Sequence, residues 1–500
     1  MDIVQIYRDV IKFFERHKFP ISPQHKSYLK HARRELVRLY PTKQEQEKLD
    51  PYSDIVLALF LLDLEPLRPQ LQAFYHPKPR GTPPRDPIQM FRSLLCLTLS
   101  GQTLSFTKWV KILRSQTLFA ALSGFQDDTP GIGTFYDFSR RLFPETSDSI
   151  IRQAIFKPKD SDKDHRPPRP GIVQRLVTKA LDNLDRPLPT FPALRLNLLL
   201  KPSVLRSHEL GLLTSSETID LAGDGTKFKT GARAVGRKLC DCRKQGIYRC
   251  DCPRRYTDRF ASWGWDSYRE CFVYGHAFYE MTAASSPFDL PIFILPAQAK
   301  EHDSVNGVKA LDRASKLYPE LSFASFIGDS AHDNYPTYDL LAARLITPII
   351  ALNERHTGYY QLDGHFTTDS SGVPVCPKAE TMVLCGFCPD RCRLKWRCPR
   401  AAHQSAKPCQ CSPSAYGRVF YTKPADDPRL FTRPVRNSKA WKKAYNDRTS
   451  AERSIKRKKV DFHLERARVR SRRQWAVRIF LMAICQHALA WVDLFEQSFG

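Results

Sequence analysis

Apolar residues recur along the chain with two periods, and the change from one to the other divides it. Residues 1–75 read as amphipathic helix, and Ile88, Phe91, Leu94, Leu95 and Leu99 fall on one helical face. A second helix around Phe106 to Leu113 follows a short Ser-Gly turn. The Pro-rich segment His76–Pro87 (HPKPRGTPPRDP) reads as a linker, and Lys157–Pro170 (KPKDSDKDHRPPRP) as a second linker or exposed loop. After residue 215 the period shortens. Glu217–Asp224 (ETIDLAGD), Cys271–Met281 (CFVYGHAFYEM) and Phe288–Leu295 (FDLPIFIL), rich in β-branched and aromatic residues, predict strands. A helix over Ser304–Leu317, a strand Leu321–Gly328 ending at Asp329, a helix Tyr335–Ala343 and a strand Ile346–Leu352 follow. The apolar stretch Ala476–Phe495 is interrupted by Arg478, Gln486, His487 and Asp493, which predicts a buried helix and not a bilayer span. Three strands, helix, strand, helix, strand and a long helix predict an α/β protein with a mixed sheet, in the order expected of an RNase H-like fold.

This pattern suggests six divisions: an N-terminal helical segment (1–75), a second helical unit (76–155), a linker region (156–215), the first part of the sheet-bearing core (216–352), a Cys-containing insertion module (353–440) and the C-terminal helices of the core (441–500). Short helices with tight turns in the second unit suit DNA binding, although helical packing alone gives the same pattern. The stretch 353–440 is too long for an ordinary loop. Its Thr357–Tyr360 and Trp396 read either as a base-stacking surface or as aromatic packing in a small module.

Charge narrows the partner. A formal net charge of +26 predicts a polyanion. It is concentrated: Lys442 to Arg473 holds 13 Lys and Arg against four acids. The N-terminal MDIVQIYRDVIKFFERHKFP has no uninterrupted hydrophobic segment or small-residue cleavage site, so it does not read as a secretory signal, and the apolar run Ile55–Leu62 is too short to span a bilayer. A soluble protein inside the cell, without a membrane partner, is expected, with its 14 cysteines as thiols or metal ligands.

Three acidic residues carry the candidate chemistry. Asp224 and Asp329 stand at strand ends, and Glu452 lies in Tyr445-x2-Arg448-x3-Glu452-x6-Lys459, whose offsets repeat on one face of a helix. Asp220, four residues before Asp224, points to the same side of the strand and competes with it; Asp303 and Asp333 compete with Asp329, Asp303 also reading as a helix cap. Glu452 could instead pair with Lys456 at i+4. Three carboxylates suit hard divalent cations, and two such ions about 4 Å apart can activate the attacking oxygen and stabilise the leaving one in displacement at phosphorus.

The spacing of Tyr445, Arg448, Glu452 and Lys459 resembles the Y-R-E-K signature of bacterial insertion-sequence transposases of the DDE class. Asp224-Gly225-Thr226 after a hydrophobic strand, and Ile327-Gly328-Asp329-Ser330-Ala331-His332-Asp333, are similar to that family's acidic boxes, and Asp128–Arg141 (DTPGIGTFYDFSRR) to its helical N-terminal domain. The resemblance covers residues 85–145 and 217–495. It implies an RNase H-like catalytic core interrupted by an insertion module and preceded by a helical N-terminal domain for DNA binding or dimerisation. It further implies cleavage and strand transfer at terminal inverted repeats, with two Mg²⁺ or Mn²⁺ ions held by Asp224, Asp329 and Glu452, Asp224 bridging both. Tyr445, Arg448 and Lys459 would grip phosphates. The partners implied are double-stranded DNA, as terminal repeats and target, and a second copy of the chain; the location is the cytoplasm, on the nucleoid. A nuclease that does not join ends, or a non-catalytic DNA-binding descendant, are the alternatives.

The cysteines form two groups that the family pattern does not require. Cys240-x-Cys242-x7-Cys250-x-Cys252 follows the first strand, and Cys385-x2-Cys388-x3-Cys392-x5-Cys398, with Cys409-x-Cys411, lies between Asp329 and Glu452. Either could close on a tetrahedral Zn²⁺, or stay as free thiols. Cys96, Cys271 and Cys485 sit in apolar surroundings and read as core.

Overall fold

A computed structural model describes residues 2–76, 83–101, 105–125, 128–144, 149–157, 172–184, 192–353, 366–369, 372–403, 410–436, 438–466 and 469–499. Most of the second linker, Thr357–Tyr360 and Cys409 lie outside the described residues.

The N-terminal part is helical, and some of its helix starts carry side-chain caps. Asp2 accepts from the amides of Val4 and Gln5 at the head of Ile3–Arg16, and Asp86 accepts from Ile88 and Gln89 ahead of Pro87–Leu99. Pro87 at the first helical position forgoes no hydrogen bond. The helices Ser53–Leu61 and Pro87–Leu99 are buried on nearly all sides and pack against the C-terminal helix Arg472–Phe499.

The sheet has six strands: β1 (Ile219–Lys229), β2 (Ser262–Asp266), β3 (Cys271–Ala283), β4 (Pro291–Gln298), β5 (Phe323–Gly328) and β6 (Thr347–Ile350). β3 is the long central strand. One edge pairs antiparallel with β1, placing Glu280 opposite Asp224; the other takes β4 along His276–Thr282 and β2 along Cys271–Gly275. β5 lies parallel to β1, and β6 parallel to β5. The order is therefore β4 (with β2)–β3–β1–β5–β6, a mixed sheet as expected. The helix Asp303–Leu317 joins β4 to β5, and Tyr335–Ala343 joins β5 to β6. β2 (SWGWD) was not foreseen, because five residues with a central glycine carry little periodic signal.

The two faces of β1 differ by the alternation of the pleat. Ala222 shares a small core with Ile327, Ile349, Trp441 and Ala451, so this face carries the helix pair Lys439–Asn446 and Thr449–Val460. Gly223 and Gly225 face the other way. A Cβ on Gly223 would run into the Tyr279 hydroxyl, and one on Gly225 into the Asp303 carboxylate. Beyond β6, a three-stranded antiparallel sheet of Val383–Cys388, Arg393–Arg397 and Val419–Thr422 has its own core of Phe366, Cys376, Met382, Leu394, Trp396, Leu430 and Phe431. Trp396 is buried there and donates to Thr422 Oγ1 at 2.8 Å, so it packs and does not offer a stacking surface.

The C-terminal helix is long and apolar enough to cross a bilayer by composition, but 94% of its apolar window is buried in the protein. Two of the polar residues that interrupt it, Gln486 and His487, have partners inside. Gln486 bonds Lys458 and Ser454, and His487 lies between Ser207 Oγ (2.7 Å) and the Pro291 carbonyl (2.9 Å).

Candidate active site

The parallel register of β1 and β5 builds the site. Ala222 stands opposite Ile327, so two residues further along each strand Asp224 and Asp329 come level. Asp329 is the first residue past β5. Its Oδ1 accepts from the Ala331 amide (3.1 Å) and from His332 Nδ1 (2.8 Å), which holds the carboxylate at the turn. Glu452 enters from the first turn of Thr449–Val460, and Arg448 pairs with it at 2.8 Å. The proximity appears in the ionisation of Asp224: burial, then the charges of Asp329, Asp303 and Glu452, push its carboxyl up to about 7. Burial would raise Asp329 too, but the His332 hydrogen bond and charge, the Ala331 amide and Arg448 outweigh it and hold that carboxyl below its ordinary value.

The competing aspartates are engaged elsewhere. Both oxygens of Asp220 accept from serines, Ser325 Oγ at 2.5 Å and Ser285 Oγ at 3.2 Å. Asp333 is buried against Arg429 (2.6 Å) and also accepts from Tyr338 and the Asn353 amide. Asp303 begins its helix but makes no capping bond; its carboxylate lies against the backbone of Gly225, and burial raises its pKa. It lies on the face of β1 away from Asp224 and acts on that carboxylate through its charge.

Two further residues support Asp329 and were missed. His332 is fully buried between Asp329 and the Tyr279 hydroxyl, which lies 2.8 Å from its Nε2. Gly307 makes the room: a Cβ there would come within 2.8 Å of His332 Nε2. The histidine stands in the quoted acidic box, so its D-x-x-H spacing was the available signal.

The expectation of one helix for Tyr445, Arg448, Glu452 and Lys459 is corrected. The chain turns at Asp447–Arg448, where three-residue hydrogen bonds from Ser450 to Asp447 and from Ala451 to Arg448 tighten the backbone and split it into two helices. Tyr445 belongs to the first, stacked on Trp441 at 4.7 Å and 11°. Tyr445 and Arg448 line a pocket of about 560 Å³ with Asp329 and Asn353. Lys459 stands two turns beyond Glu452, with Nζ 3.6 Å from Glu465 and 3.5 Å from the Lys227 carbonyl. The opposite, hidden face of its helix is fixed by Lys458, whose Nζ meets the Glu280 carboxylate at 2.9 Å with both side chains fully buried.

The two cysteine groups part company. Cys240, Cys242, Cys250 and Cys252 bring their sulfurs within 4.8 Å of one another, with Cys240–Cys250 and Cys242–Cys252 at 3.6 Å. Cys385, Cys388, Cys392 and Cys398 do not converge: the first and third are exposed and Cys398 is buried in the small sheet's core region. Cys376, which the spacing did not single out, lies with Cys411 at 3.7 Å.

Asp224 midway along β1, Asp329 just past β5 and Glu452 on the covering helix gather acidic side chains on a mixed α/β sheet, an arrangement that in a strongly basic chain suits a DNA-processing enzyme. Residues 221–486, more than half of the chain, match the family described as transposase DDE domain, and the chain belongs to that family. No curated protein and no solved structure matches.

Proposed function

We propose that this transposase has an RNase H-like core, interrupted by an inserted module, and that it cleaves and joins DNA at the terminal inverted repeats of its own element. The observation that carries the reading is the level placement of Asp224 and Asp329 beneath Glu452, with burial first and then the neighbouring acids pushing Asp224 up to about 7. The strand order β4–β3–β1–β5–β6 and the helices that follow support the fold assignment. Neighbouring carboxylates on partly exposed side chains, 42% for Asp329 and 47% for Glu452, make a donor set suited to hard cations. Mg²⁺ or Mn²⁺ held by Asp224, Asp329 and Glu452 would activate the attacking oxygen and stabilise the departing one.

In cleavage a water oxygen bonds to phosphorus and the P–O3′ bond breaks, leaving a 3′-hydroxyl. In joining that hydroxyl attacks a target phosphodiester and displaces the target's own 3′ oxygen. Arg448 and Tyr445, beside Asp329, would orient the scissile phosphate, and Lys459 would hold the strand further on. Two ends must meet, so two chains are expected in the DNA complex, assembled on the nucleoid in the cytoplasm. The quartet Cys240, Cys242, Cys250 and Cys252 would close one structural zinc site.

The test is incubation with Mg²⁺ and a plasmid bearing the element's ends, scoring released and joined 3′-ends. Cleavage and joining by the native chain, lost in Asp224→Asn and Glu452→Gln with DNA binding retained, are expected. Cleavage without joining would reduce the reading to a nuclease, and activity surviving in either variant would remove the carboxylate assignment.

A further inference from the structure

The hairpin that leaves the end of β1 carries more charge than its size explains. From Gly231 to Thr257 it holds eight Lys and Arg against two Asp. Its walls enclose a groove of about 1380 Å³, lined among others by Arg233, Arg237, Arg243, Arg255 and Arg470. These five are exposed and have no carboxylate partner among the described residues. Arg254 and Lys238, in contrast, are used internally. Arg254 donates to the carbonyls of Val235 and Cys250, and Lys238 to those of Ile247 and Tyr248.

Apolar burial in it is limited to Tyr256, since Val235, Leu239, Ile247 and Tyr248 all face outward. What converges instead is sulfur. Four tetrahedral thiolates at about 2.3 Å from zinc would stand about 3.8 Å apart, close to the 3.6 Å of both cysteine pairs. A disulfide would bring the sulfurs to about 2.05 Å.

The hairpin is also placed relative to the carboxylates. Gly231 donates to the Val469 carbonyl at 2.6 Å, which ties it to the segment after the Glu452-bearing helix and brings Arg470 into the groove. Gly231 lies seven residues beyond Asp224 along extended chain, roughly 23 Å, or about seven base pairs of duplex at 3.4 Å each.

We propose that the zinc-closed hairpin is a clamp for duplex DNA, gripping backbone phosphates about seven base pairs from the phosphate cut at the carboxylates. The position, though not the grip, rests on the transposase reading above. Arginines without internal partners match phosphate oxygens by charge and by geometry. Such contacts hold any sequence and position the duplex without reading its bases.

The experiment uses the full-length protein and a random-sequence duplex several turns long. Elemental analysis after reconstitution with zinc should give about one ion per chain. Cobalt in its place should show the absorption bands of tetrahedral thiolate coordination, lost in Cys242→Ser/Cys252→Ser. The triple variant Arg233→Gln/Arg243→Gln/Arg255→Gln should keep its metal while the slope of log affinity against log salt falls by about three. No bound metal would overturn the zinc closure, and a metal-loaded triple variant with unchanged slope would overturn the clamp. Binding is scored without cleavage, so a chain that grips duplex through the hairpin but never cuts supports the clamp and sinks only the transposase reading.

Discussion

Asp329 owes its position to a histidine and two glycines set behind it. His332 reaches from Asp329 to the Tyr279 hydroxyl, and Gly223 and Gly307 leave the space for those two side chains. Removing such a support leaves the carboxylate in place but free to turn. His332→Ala is therefore expected to lower cleavage about ten- to a hundredfold with duplex affinity unchanged, as rates and binding isotherms would show. An equal loss of affinity would mean that the histidine serves DNA contact. Gly223→Ala forces a methyl group against the Tyr279 hydroxyl and should cost stability, and Tyr279→Phe in that background should restore part of it in a denaturant titration. The three acids stand out in the sequence because displacement at phosphorus calls for oxygen ligands, a requirement of residue type and spacing. Tyr279 was not: a tyrosine in an apolar strand reads as core until a partner 53 residues away is in view.

The helix that carries Glu452 is held from behind by charge. Lys458 and Glu280 are wholly buried, Ser454 donating to Glu280 and Gln486 accepting from Lys458, so the pair also links this helix to β3 and to the C-terminal helix. Lys458→Met should cost about 3–5 kcal/mol, because Glu280 is left uncompensated, whereas Glu280→Leu/Lys458→Met should recover most of that loss. Equal destabilisation of both variants would argue against the buried pair. The C-terminal helix adds a pH-dependent element. Burial, opposed by the Pro291 hydrogen bond, pushes His487 down to about 4 from an ordinary 6.5. The folded state therefore binds fewer protons than the unfolded one, and the stability this group confers is present above about 6.5 and lost as pH falls through 4. The loss should reach about 3 kcal/mol, and His487→Asn should flatten the profile between pH 7 and 4. The elements themselves were legible where a strong period persists: Tyr335–Ala343 is as the spacing predicts, and Asp303–Leu317 differs by one residue. The turn at Asp447–Arg448 was not, since helical offsets continue through it and only backbone hydrogen bonding reveals the break.

Across the whole molecule a single apolar core runs from Ile3 and Val10 through Leu57, Leu95, Leu200 and Phe293 to Phe480 and Phe495. Composition alone points to separable pieces, because proline-rich segments interrupt the chain and charge gathers near its end. Physical continuity comes from the C-terminal helix, whose buried residues from Trp475 to Phe495 contact the N-terminal helices on one side and the sheet region on another. Long-range packing of this kind leaves no local pattern, which is why the sequence tells the type of each element better than how they are joined. The small core around Trp396 and Leu430 is distinct, and the cysteine hairpin joins the rest through the buried Tyr256 alone among its apolar side chains. Cooperative melting follows shared burial, so the N-terminal helices and the catalytic sheet should unfold together. Calorimetry of the full chain should show one main transition to which both contribute, and Leu57→Ala in the N-terminal helix or Phe480→Ala in the C-terminal helix should each move that same transition down. Loss of about 2–5 kcal/mol is expected for either truncation. A separate transition shifted by Leu57→Ala alone would show that the N-terminal helices fold as an independent unit and that the carboxylate site does not depend on them.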